Sequence, residues 1–245
     1  MIQSTDVTVV VPAHDEEDLL PALLGDLMTQ TRPPKEVVVV DSMSTDGTVD
    51  VTKAFPASLC PIRLIPGPLG AGAARNAGAR VVTSPWVLFL DADVRVPPDF
   101  VASLLCRVEP GPSMVHTVGF TVGEPRFRRA AELLCRYFRM FATTPSPALV
   151  GHCVLVEVAL HEALGGFDTD LVLGEDHDYA RRARRVGASM HWIAEIAIEV
   201  SARRFQNDQR LRALFRYTVS ELRRLWCTLV VNRVPLGVPR SSGQR

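Results

Sequence analysis

The sequence of 245 residues has no apolar run long enough to cross a membrane. A transmembrane helix needs roughly 20 consecutive apolar residues, and every apolar stretch here is interrupted before that length. The first residues, MIQSTDVTVVVPAHDEE, carry no basic segment ahead of the apolar one and include an early acid, Asp6. We therefore expect no signal peptide and no membrane span, and we predict a cytoplasmic protein.

Cysteine and lysine are both scarce. The five cysteines are scattered, odd in number and without any C-x-x-C pair, which argues against a disulfide framework or a zinc site and favours reduced thiols. Only Lys35 and Lys53 are lysines, so arginine carries nearly all of the positive charge. The sequence also lacks internal repeats, which excludes solenoid folds.

Charge is balanced over the whole chain but divided along it. Residues 1–110 hold 14 acidic and 8 basic residues, a net charge of −6, whereas residues 111–245 hold 13 and 19, a net charge of +6. An acidic half followed by a basic half predicts two surfaces with different partners.

Apolar strand patterns alternate with helical patterns along the first half of the chain. The predicted strands are at 7–11, 37–40, 62–65 and 86–90, and the predicted helices at 16–28, 48–54, 71–82 and 98–108. This alternation predicts an α/β fold with a mostly parallel, doubly wound sheet and helices on both faces. The second half predicts strands at 115–122 and 149–156 and one or two short strands within 190–200. It also predicts helices at 126–141, 176–186 and 208–229, of which the first and last are basic and amphipathic.

Polar side chains follow three of these strands. The fourth strand runs into Asp91 and Asp93, whose side chains share one face because they are two residues apart. Paired carboxylates repel unless a cation lies between them, so they suggest a divalent metal that holds a phosphate, although a solvated turn is the simpler alternative. The first strand ends near His14 and the second at Asp41. This convergence at the carboxyl edge of the sheet favours the metal–phosphate interpretation.

Two further motifs are open to two interpretations each. GPLGAGAARNAG at 67–78 follows a strand and opens a helix, but Arg75 stands where a dinucleotide fingerprint requires Gly or Ala, so a Rossmann cofactor site is not expected. The glycines and Arg75 could approach a phosphate, or could form only a tight turn. Glu175, Asp176 and Asp178 open a predicted helix, where they could complement its dipole or supply a general base.

Together, the segments VVVPAHDEE, VVVVDSMSTDGT, GAARNAG, LFLDAD and GGFD…GEDHDYARR resemble family 2 glycosyltransferases of the GT-A fold, in order and in spacing. The resemblance covers about residues 7–200. It implies a hexosyltransferase-type enzyme that moves a sugar from a nucleoside diphosphate sugar to an acceptor hydroxyl with inversion, using Mg²⁺ or Mn²⁺. It also implies one GT-A domain over 1–240, with a nucleotide-sugar-binding half at 1–110 and an acceptor-binding half at 111–240.

The resemblance assigns roles to individual residues. Asp176 would be the general base, and Asp93 with Asp91 would hold the metal. The residues implied for the nucleotide sugar are Pro12, His14, Glu16, Asp41, Ser42, Arg75, Asp91 and Ala92. Those implied for the acceptor side are Gly151, His152 and Glu175.

The chain departs from the family pattern at several positions. Ser42 stands where a second Asp is common and His14 where Tyr is common, so the nucleotide base is left open. No His follows in IAIEVSARRF, where many members place a further metal ligand, and His191 is expected to be a strand residue. A processive Gln-x-x-Arg-Trp signature is missing, which favours transfer of a single sugar.

Two rival functions are weighed against this one. A sugar-1-phosphate nucleotidyltransferase would need a glycine-rich first loop with a lysine, which PAHDEE does not provide. A non-catalytic nucleotide-sugar-binding or scaffold protein of the same fold is the second alternative. The two basic helices suggest contact with an anionic membrane surface at the inner face, which would suit a lipid-linked or cell-envelope glycan acceptor. No nucleic-acid motif is found, and we expect no nucleic-acid partner.

Overall fold

The computed structural model describes residues 6–108, 114–142, 144, 147, 149–201, 203 and 238–239. The strands are β1 (Val7–Ala13), β2 (Glu36–Asp41), β3 (Ile62–Pro66), β4 (Trp86–Leu90), β5 (Val94–Arg95), β6 (Met114–Val122), β7 (Cys153–Glu157), β8 (Leu171–Leu173), β9 (Ser189–Val200) and β10 (Val238–Pro239). The helices are α1 (Leu20–Met28), α2 (Thr48–Ala54), α3 (Ala71–Ala79), α4 (Phe100–Leu105), α5 (Pro125–Ala142), α6 (Val158–Ala163) and α7 (Glu175–Arg185).

Eight of the strands form one sheet in the order β3-β2-β1-β4-β7-β6-β9-β5. Strands β1 to β4, the four that the sequence predicted in the first half, pair in parallel, and β6 pairs in parallel with β9. The junctions β4–β7, β6–β7 and β5–β9 are antiparallel. The sheet is therefore mixed, and parallel pairing predominates in the nucleotide-binding half that the sequence predicted.

Helices cover both faces of the sheet because successive side chains of its strands point to opposite sides. Val9 of β1 and Val37 of β2 are fully buried against α1 on one face. Their neighbours Val10 and Val38 are fully buried on the other face with α3 and α7. Such continuous apolar strands are typical of a sheet that is buried on both sides.

Helix α1 begins at Leu20 and not at residue 16 as predicted. The acids before it accept hydrogen bonds from the loop between β2 and α2: Thr45 donates to Asp15 over 2.7 Å and Gly47 donates to Glu17 over 2.7 Å. These acids therefore do not cap α1; their carboxylates join two neighbouring loops at the carboxyl edge of the sheet.

The second half differs more from the sequence pattern. Strand β7 begins at Cys153 and not at residue 149, β9 is one strand of 12 residues, and β5, β8, β10 and α6 were not predicted. Helix α5 and the strand position of His191 are confirmed. The predicted helix at 208–229 lies outside the described residues. Within the part of the chain that the structure describes, no helix combines the length and the apolarity of a membrane span.

Candidate functional site

A pocket of about 590 Å³ lies at the carboxyl edge of the sheet. The ends of β1 and β4 form its floor, and the starts of α3 and α7 and one side of α5 form its walls. Of the residues predicted for the site, those in its lining are Pro12, His14, Glu16, Ser42, Arg75, Asp91, Ala92, Asp93, Gly151, His152, Glu175 and Asp176. Asp41 is not in the lining; its carboxylate accepts a hydrogen bond from the Ser44 amide over 3.3 Å.

Asp91 is bound through both oxygens of its carboxylate. Its Oδ1 accepts a hydrogen bond from Arg75 over 2.7 Å, and its Oδ2 lies 2.9 Å from Nδ1 of His152. The His152 ring packs edge-on against Phe120, 5.8 Å between ring centroids. Asp91 is thus oriented from two sides by groups that come from outside β4.

Arg75 crosses the wall of the pocket and joins its two halves. The guanidinium donates to Asp91, to Glu175 over 3.1 Å and to the Gly151 carbonyl over 3.1 Å, and it lies 5.3 Å from the centroid of the Phe167 ring. Its side chain is only 3% exposed. Burial opposes the charged form, but the carboxylates of Asp91 and Glu175 outweigh it and raise the pKa of Arg75.

Glu175 and Asp176 begin helix α7 directly after Gly174, whose left-handed backbone (φ 84°) suits glycine. Burial, together with the neighbouring carboxylate of Asp176, raises the pKa of Glu175. Gly151 packs so closely on this turn that a Cβ atom there would lie 3.2 Å from Oδ2 of Asp176. A side chain at residue 151 would therefore crowd the Asp176 carboxylate, so glycine leaves Asp176 its place at the wall of the pocket.

The third acid of this cluster has a different environment. Asp178 is buried and forms ion pairs with Arg181 over 2.5 Å and with Arg182 over 2.6 Å. These hydrogen bonds hold the pKa of Asp178 below its ordinary value despite its burial. Asp178 consequently stabilises α7 and lies outside the lining of the pocket.

The chemistry of the donors near β4 is compatible with a hard divalent cation. Asp91 and Asp93 both line the pocket, and the Asp93 carbonyl accepts a hydrogen bond from the Ser201 amide over 3.0 Å. Among the described residues, no group of three His, Cys, Asp or Glu side chains could hold a metal. Mg²⁺ commonly takes one or two carboxylates and completes its shell with water and substrate phosphates, so two aspartates fit such an ion if a phosphate ligand joins them.

The residues that follow β1 contact two other segments that line the pocket. Nδ1 of His14 lies 2.9 Å from the Ser42 carbonyl oxygen, and Glu16 forms an ion pair with Arg203. Arg203 follows β9 and is 187 residues away from Glu16 in sequence.

Sequence reasoning missed three parts of the site. Asn76 donates to the Phe167 carbonyl and accepts from its amide, each over 2.8 Å, and so clamps the glycine loop before α7 to α3. Arg203 was read only as part of a stretch lacking histidine. An apolar wall was also missed, and its members are Phe120, Val122, Leu134, Phe138 and Val150. The amphipathic pattern of α5 was the one signal for that wall, since Leu134 and Phe138 share its apolar face.

Solved structures with the same arrangement of sheet and helices are glycosyltransferases of the GT-A class, and the predicted fold is confirmed. A mannosyltransferase from Pyrobaculum calidifontis, PcManGT, in complex with GDP-Man and Mn²⁺ superposes with a TM-score of 0.68 at 22% identity, over 96% of this chain and 68% of that one. TarS 1–349 from S. aureus in complex with UDP-GlcNAc superposes with a TM-score of 0.65 at 20% identity, over 94% of this chain and 67% of that one.

The family follows from the sequence. The model of glycosyl transferase family 2 matches residues 8–165, more than half of the chain. The chain belongs to this family.

Named relatives of this chain are longer than it is and differ in the activity for which they are named. Validoxylamine A glucosyltransferase of Streptomyces hygroscopicus subsp. limoneus is 38% identical over 114 residues, 44% of this chain and 25% of the relative. Undecaprenyl-phosphate 4-deoxy-4-formamido-L-arabinose transferase of Serratia proteamaculans is 32% identical over 155 residues, 61% of this chain and 47% of the relative. The chain thus spans a quarter to about half of the length of these curated relatives.

Proposed function

We propose that this protein is a metal-dependent, inverting glycosyltransferase that moves one sugar from a nucleoside diphosphate sugar to an acceptor hydroxyl. The observation that carries the proposal is the convergence of Asp91 and Asp93 from β4 with Glu175 and Asp176 from α7 in one pocket. Membership of the family supports the reaction class.

The donor would bind over the ends of β1 and β4. Pro12, His14, Glu16 and Ser42 line the part of the pocket that would receive the nucleoside. Asp93 and Asp91 would hold Mg²⁺ or Mn²⁺, which when bound would neutralise charge on the departing diphosphate. The Mn²⁺ in the PcManGT complex supports a divalent metal in this fold. Asp41 accepts a hydrogen bond from the loop that follows β2. Its assigned role in donor binding would therefore be indirect, by holding that loop at the end of β2.

Asp176 would act as the general base toward the acceptor hydroxyl. A hydroxyl is a poor nucleophile until its proton begins to leave, and a positioned carboxylate typically accelerates that step by roughly 10² to 10⁴. One base facing one leaving group supports a single in-line displacement, which inverts the anomeric carbon. Glu175, tied to Arg75, would orient the turn that carries Asp176, with Gly151 and His152 beside it on the acceptor side.

The apolar wall supports an acceptor with an apolar part. Leu134 and Phe138 face the pocket, while the opposite side of α5 exposes Arg129, Arg136 and Met140 together with Leu133, which is 65% exposed. Five arginines and a single glutamate are exposed on this helix. Such a surface suits an anionic bilayer, and a lipid-linked or cell-envelope acceptor at the cytoplasmic face would then lie next to the pocket. The undecaprenyl-phosphate transferase relative supports the same class.

Flotation with vesicles tests this membrane contact. The wild-type protein should bind phosphatidylglycerol-containing vesicles and not purely phosphatidylcholine ones. The double variant R129Q/R136Q should lose about 2 kcal/mol of binding, since each arginine near an anionic surface contributes about 1 kcal/mol. The control variant R184Q/R185Q removes two exposed arginines from α7 and should bind normally. Equal vesicle binding by both variants would show that the exposed arginines of α5 do not form the docking surface.

Thermal-shift measurements with UDP, GDP, TDP and CDP, each with Mn²⁺ or with EDTA, test the donor site. A ligand at 100 times its Kd should contribute about 2.7 kcal/mol, which for a chain of this size raises Tm by roughly 5–11 °C. A metal-dependent shift with one nucleoside diphosphate would support the proposal and identify the base. No shift with any of them at millimolar concentration would contradict it.

One observation favours a second candidate, a non-catalytic protein that binds a nucleotide sugar. The two carboxylate oxygens of Asp91 already contact Arg75 and His152. A metal would therefore compete with these two side chains for the oxygens of Asp91. This candidate predicts donor binding without turnover, and a turnover assay separates the two.

A further inference from the structure

The pocket poses an electrostatic difficulty for a diphosphate. Five carboxylates are found in its described lining, those of Glu16, Asp91, Asp93, Glu175 and Asp176, against the two arginines Arg75 and Arg203. An anion that enters this pocket meets net negative charge, so it needs a cation that can move toward it as well as any metal it brings.

Arg75 is badly placed to be that cation. Its guanidinium already donates to Asp91, Glu175 and the Gly151 carbonyl, and its side chain is 3% exposed. Moving it toward a ligand would take the guanidinium away from the carboxylates of the buried Asp91 and the largely buried Glu175, which is costly.

Arg203 has the opposite character. Its backbone is anchored beside Asp93: Ser201 donates its amide to the Asp93 carbonyl over 3.0 Å, and the Arg203 amide donates to the Ser201 hydroxyl over 3.2 Å. Its side chain is 31% exposed and pairs with Glu16, while its Nε is buried and, among the residues that the structure describes, has no hydrogen-bond partner. Within the described part of the chain the guanidinium therefore has one ion-pair partner, Glu16, a donor without an acceptor, and access to the pocket.

We propose that Arg203 binds the diphosphate of the donor by exchanging its partner Glu16 for phosphate oxygens. This rests on the proposed function. The planar guanidinium can donate two parallel hydrogen bonds to a phosphate, and its positive charge stabilises the negative charge that grows on the departing diphosphate. The exchange also moves Arg203 away from the Glu16 carboxylate, which lines the same pocket and can accept hydrogen bonds from the ribose hydroxyls. Donor binding thus replaces one ion pair by two separate contacts to the ligand.

A purely structural role is the competing explanation. In that case the Glu16–Arg203 pair only fastens the segment after β9 to the end of β1, and its loss would weaken every ligand of the pocket alike. The two roles differ in how they depend on the number of phosphates, because only a diphosphate-binding arginine distinguishes a nucleoside diphosphate from the matching monophosphate.

Isothermal titration calorimetry with a nucleoside diphosphate and the matching monophosphate provides the test. The probes are the nucleoside diphosphate that raises the Tm of the wild-type protein and its monophosphate, in one Mg²⁺ buffer, and the readout is the ratio of their Kd values. R203Q should lower the preference for the diphosphate by roughly tenfold or more, the usual effect of losing a charged hydrogen bond. R203K, which keeps the charge but not the planar fork, should lie between R203Q and the wild type.

Two further variants complete the design. R107Q removes an arginine whose ion pair with Glu195 lies outside the pocket lining, and its ratio should equal that of the wild type. E16Q removes the competing charge from Arg203, so the preference for the diphosphate should rise; loss of the ribose contact is common to both ligands and cancels in the ratio. R203K keeps the test decisive if R203Q does not fold, and an unchanged ratio in E16Q would contradict the exchange.

The outcomes separate this inference from the proposed function. An unchanged ratio in R203Q and R203K, with both affinities weakened or both intact, would overturn the role of Arg203 and leave the donor site standing. If no nucleoside diphosphate binds the wild-type protein, the proposed function and this inference both fail.

Discussion

Asp176 owes its assigned role to its surroundings as much as to its chemistry. It follows Glu175 at the start of α7, faces the pocket and lies against Gly151, where no side chain separates it from the Arg75 network. Two residues later, Asp178 has the same carboxylate, but both of its oxygens form ion pairs, with Arg181 and with Arg182. Neighbouring acids of one helix thus divide into a candidate base and a structural ion pair.

Asp176→Asn should abolish most of the turnover and keep donor binding. An amide preserves size and hydrogen bonding but cannot accept the proton, so kcat should fall by about 10² to 10⁴. Release of nucleoside diphosphate in the presence of acceptor measures kcat, and the thermal shift with the donor nucleotide measures binding. Asp170→Asn changes an exposed acid of the same segment and should leave both quantities unchanged. Normal turnover in Asp176→Asn would refute the assigned base.

Arg75→Met should destabilise the protein strongly. The substitution keeps the length of the side chain but leaves the carboxylates of Asp91 and Glu175 in the pocket wall without their cation, at a cost of about 3–5 kcal/mol. Urea unfolding at pH 7.5 measures the loss. Because the pKa of Glu175 is already raised by burial, this residue should take up a proton readily in the variant, and the loss should shrink at pH 5.

Arg80→Met is the matched control for that measurement. Arg80 is the exposed residue that ends α3, one and a half turns from Arg75. Its substitution should change the free energy of unfolding by less than about 0.5 kcal/mol. Equal losses in the two variants would show that the Arg75 network contributes no more than an ordinary surface arginine.

Helix α3 organises the site by joining elements that are distant in sequence. Arg75 reaches the turn that starts α7, and Asn76 on the next position holds the loop that leads to it. The helix can approach β1 and β2 this closely because Gly78 lacks a side chain: a Cβ atom there would lie 2.3 Å from a methyl group of Val10. Small residues in α3 therefore serve packing, and its two polar residues hold the site together.

Asn76→Ala should loosen the loop before α7. The variant leaves the buried amide and carbonyl of Phe167 without partners, which should cost about 2 kcal/mol in the free energy of unfolding. It should also raise KM more than it lowers kcat if the loop positions the acceptor side. Asn76→Asp retains the acceptor for the Phe167 amide and should recover part of the stability. Wild-type stability in Asn76→Ala would contradict the clamp.

At the scale of the whole molecule, two buried histidines couple stability to pH. Burial, assisted by His191, lowers the pKa of His116 to about 4. Burial, assisted by Arg182, lowers the pKa of His161 to about 4. Their Nδ1 atoms each have a partner at 3.1 Å, His191 for His116 and the Tyr179 hydroxyl for His161. The fold therefore requires both rings to be neutral.

The free energy of unfolding should consequently fall as pH decreases from about 6.5 to about 4. In this pH window the two histidines are protonated in the unfolded chain but remain neutral in the folded protein. Each histidine can therefore lower the free energy of unfolding by up to about 3 kcal/mol. Urea titrations at pH 7.5, 6 and 5 measure the slope, and His116→Gln should reduce it by one histidine's share. Between pH 7.5 and 8.5 neither ring titrates, so the variant and the wild type should show the same slope there.

The strands of the first half and the carboxyl-edge position of Asp91 could be predicted because local signals decide them. Runs such as VVVV and WVLFL have no other stable place than a doubly covered sheet, and side chains two residues apart share a face. The bounds of β4 and α2 agree with the prediction to the residue. The GT-A fold followed from the order of five motifs along the chain.

Other features depend on contacts between residues that are distant in sequence. The antiparallel entry of β7 beside β4, the burial of Arg75 between Asp91 and Glu175, and the Glu16–Arg203 pair each join positions at least 16 residues apart, and no local pattern encodes such a partner. Asp176 and Asp178 have the same side chain at the start of one helix, and it was their contacts in the fold that placed one in the pocket and paired the other with Arg181 and Arg182. The sequence by itself determined strands β1–β4 and the polar groups that follow β1, β2 and β4 at the sheet edge, because propensity and periodicity are local. The tertiary structure alone decided which of those groups neutralise one another and which face the pocket, because charge pairing depends on distance in space.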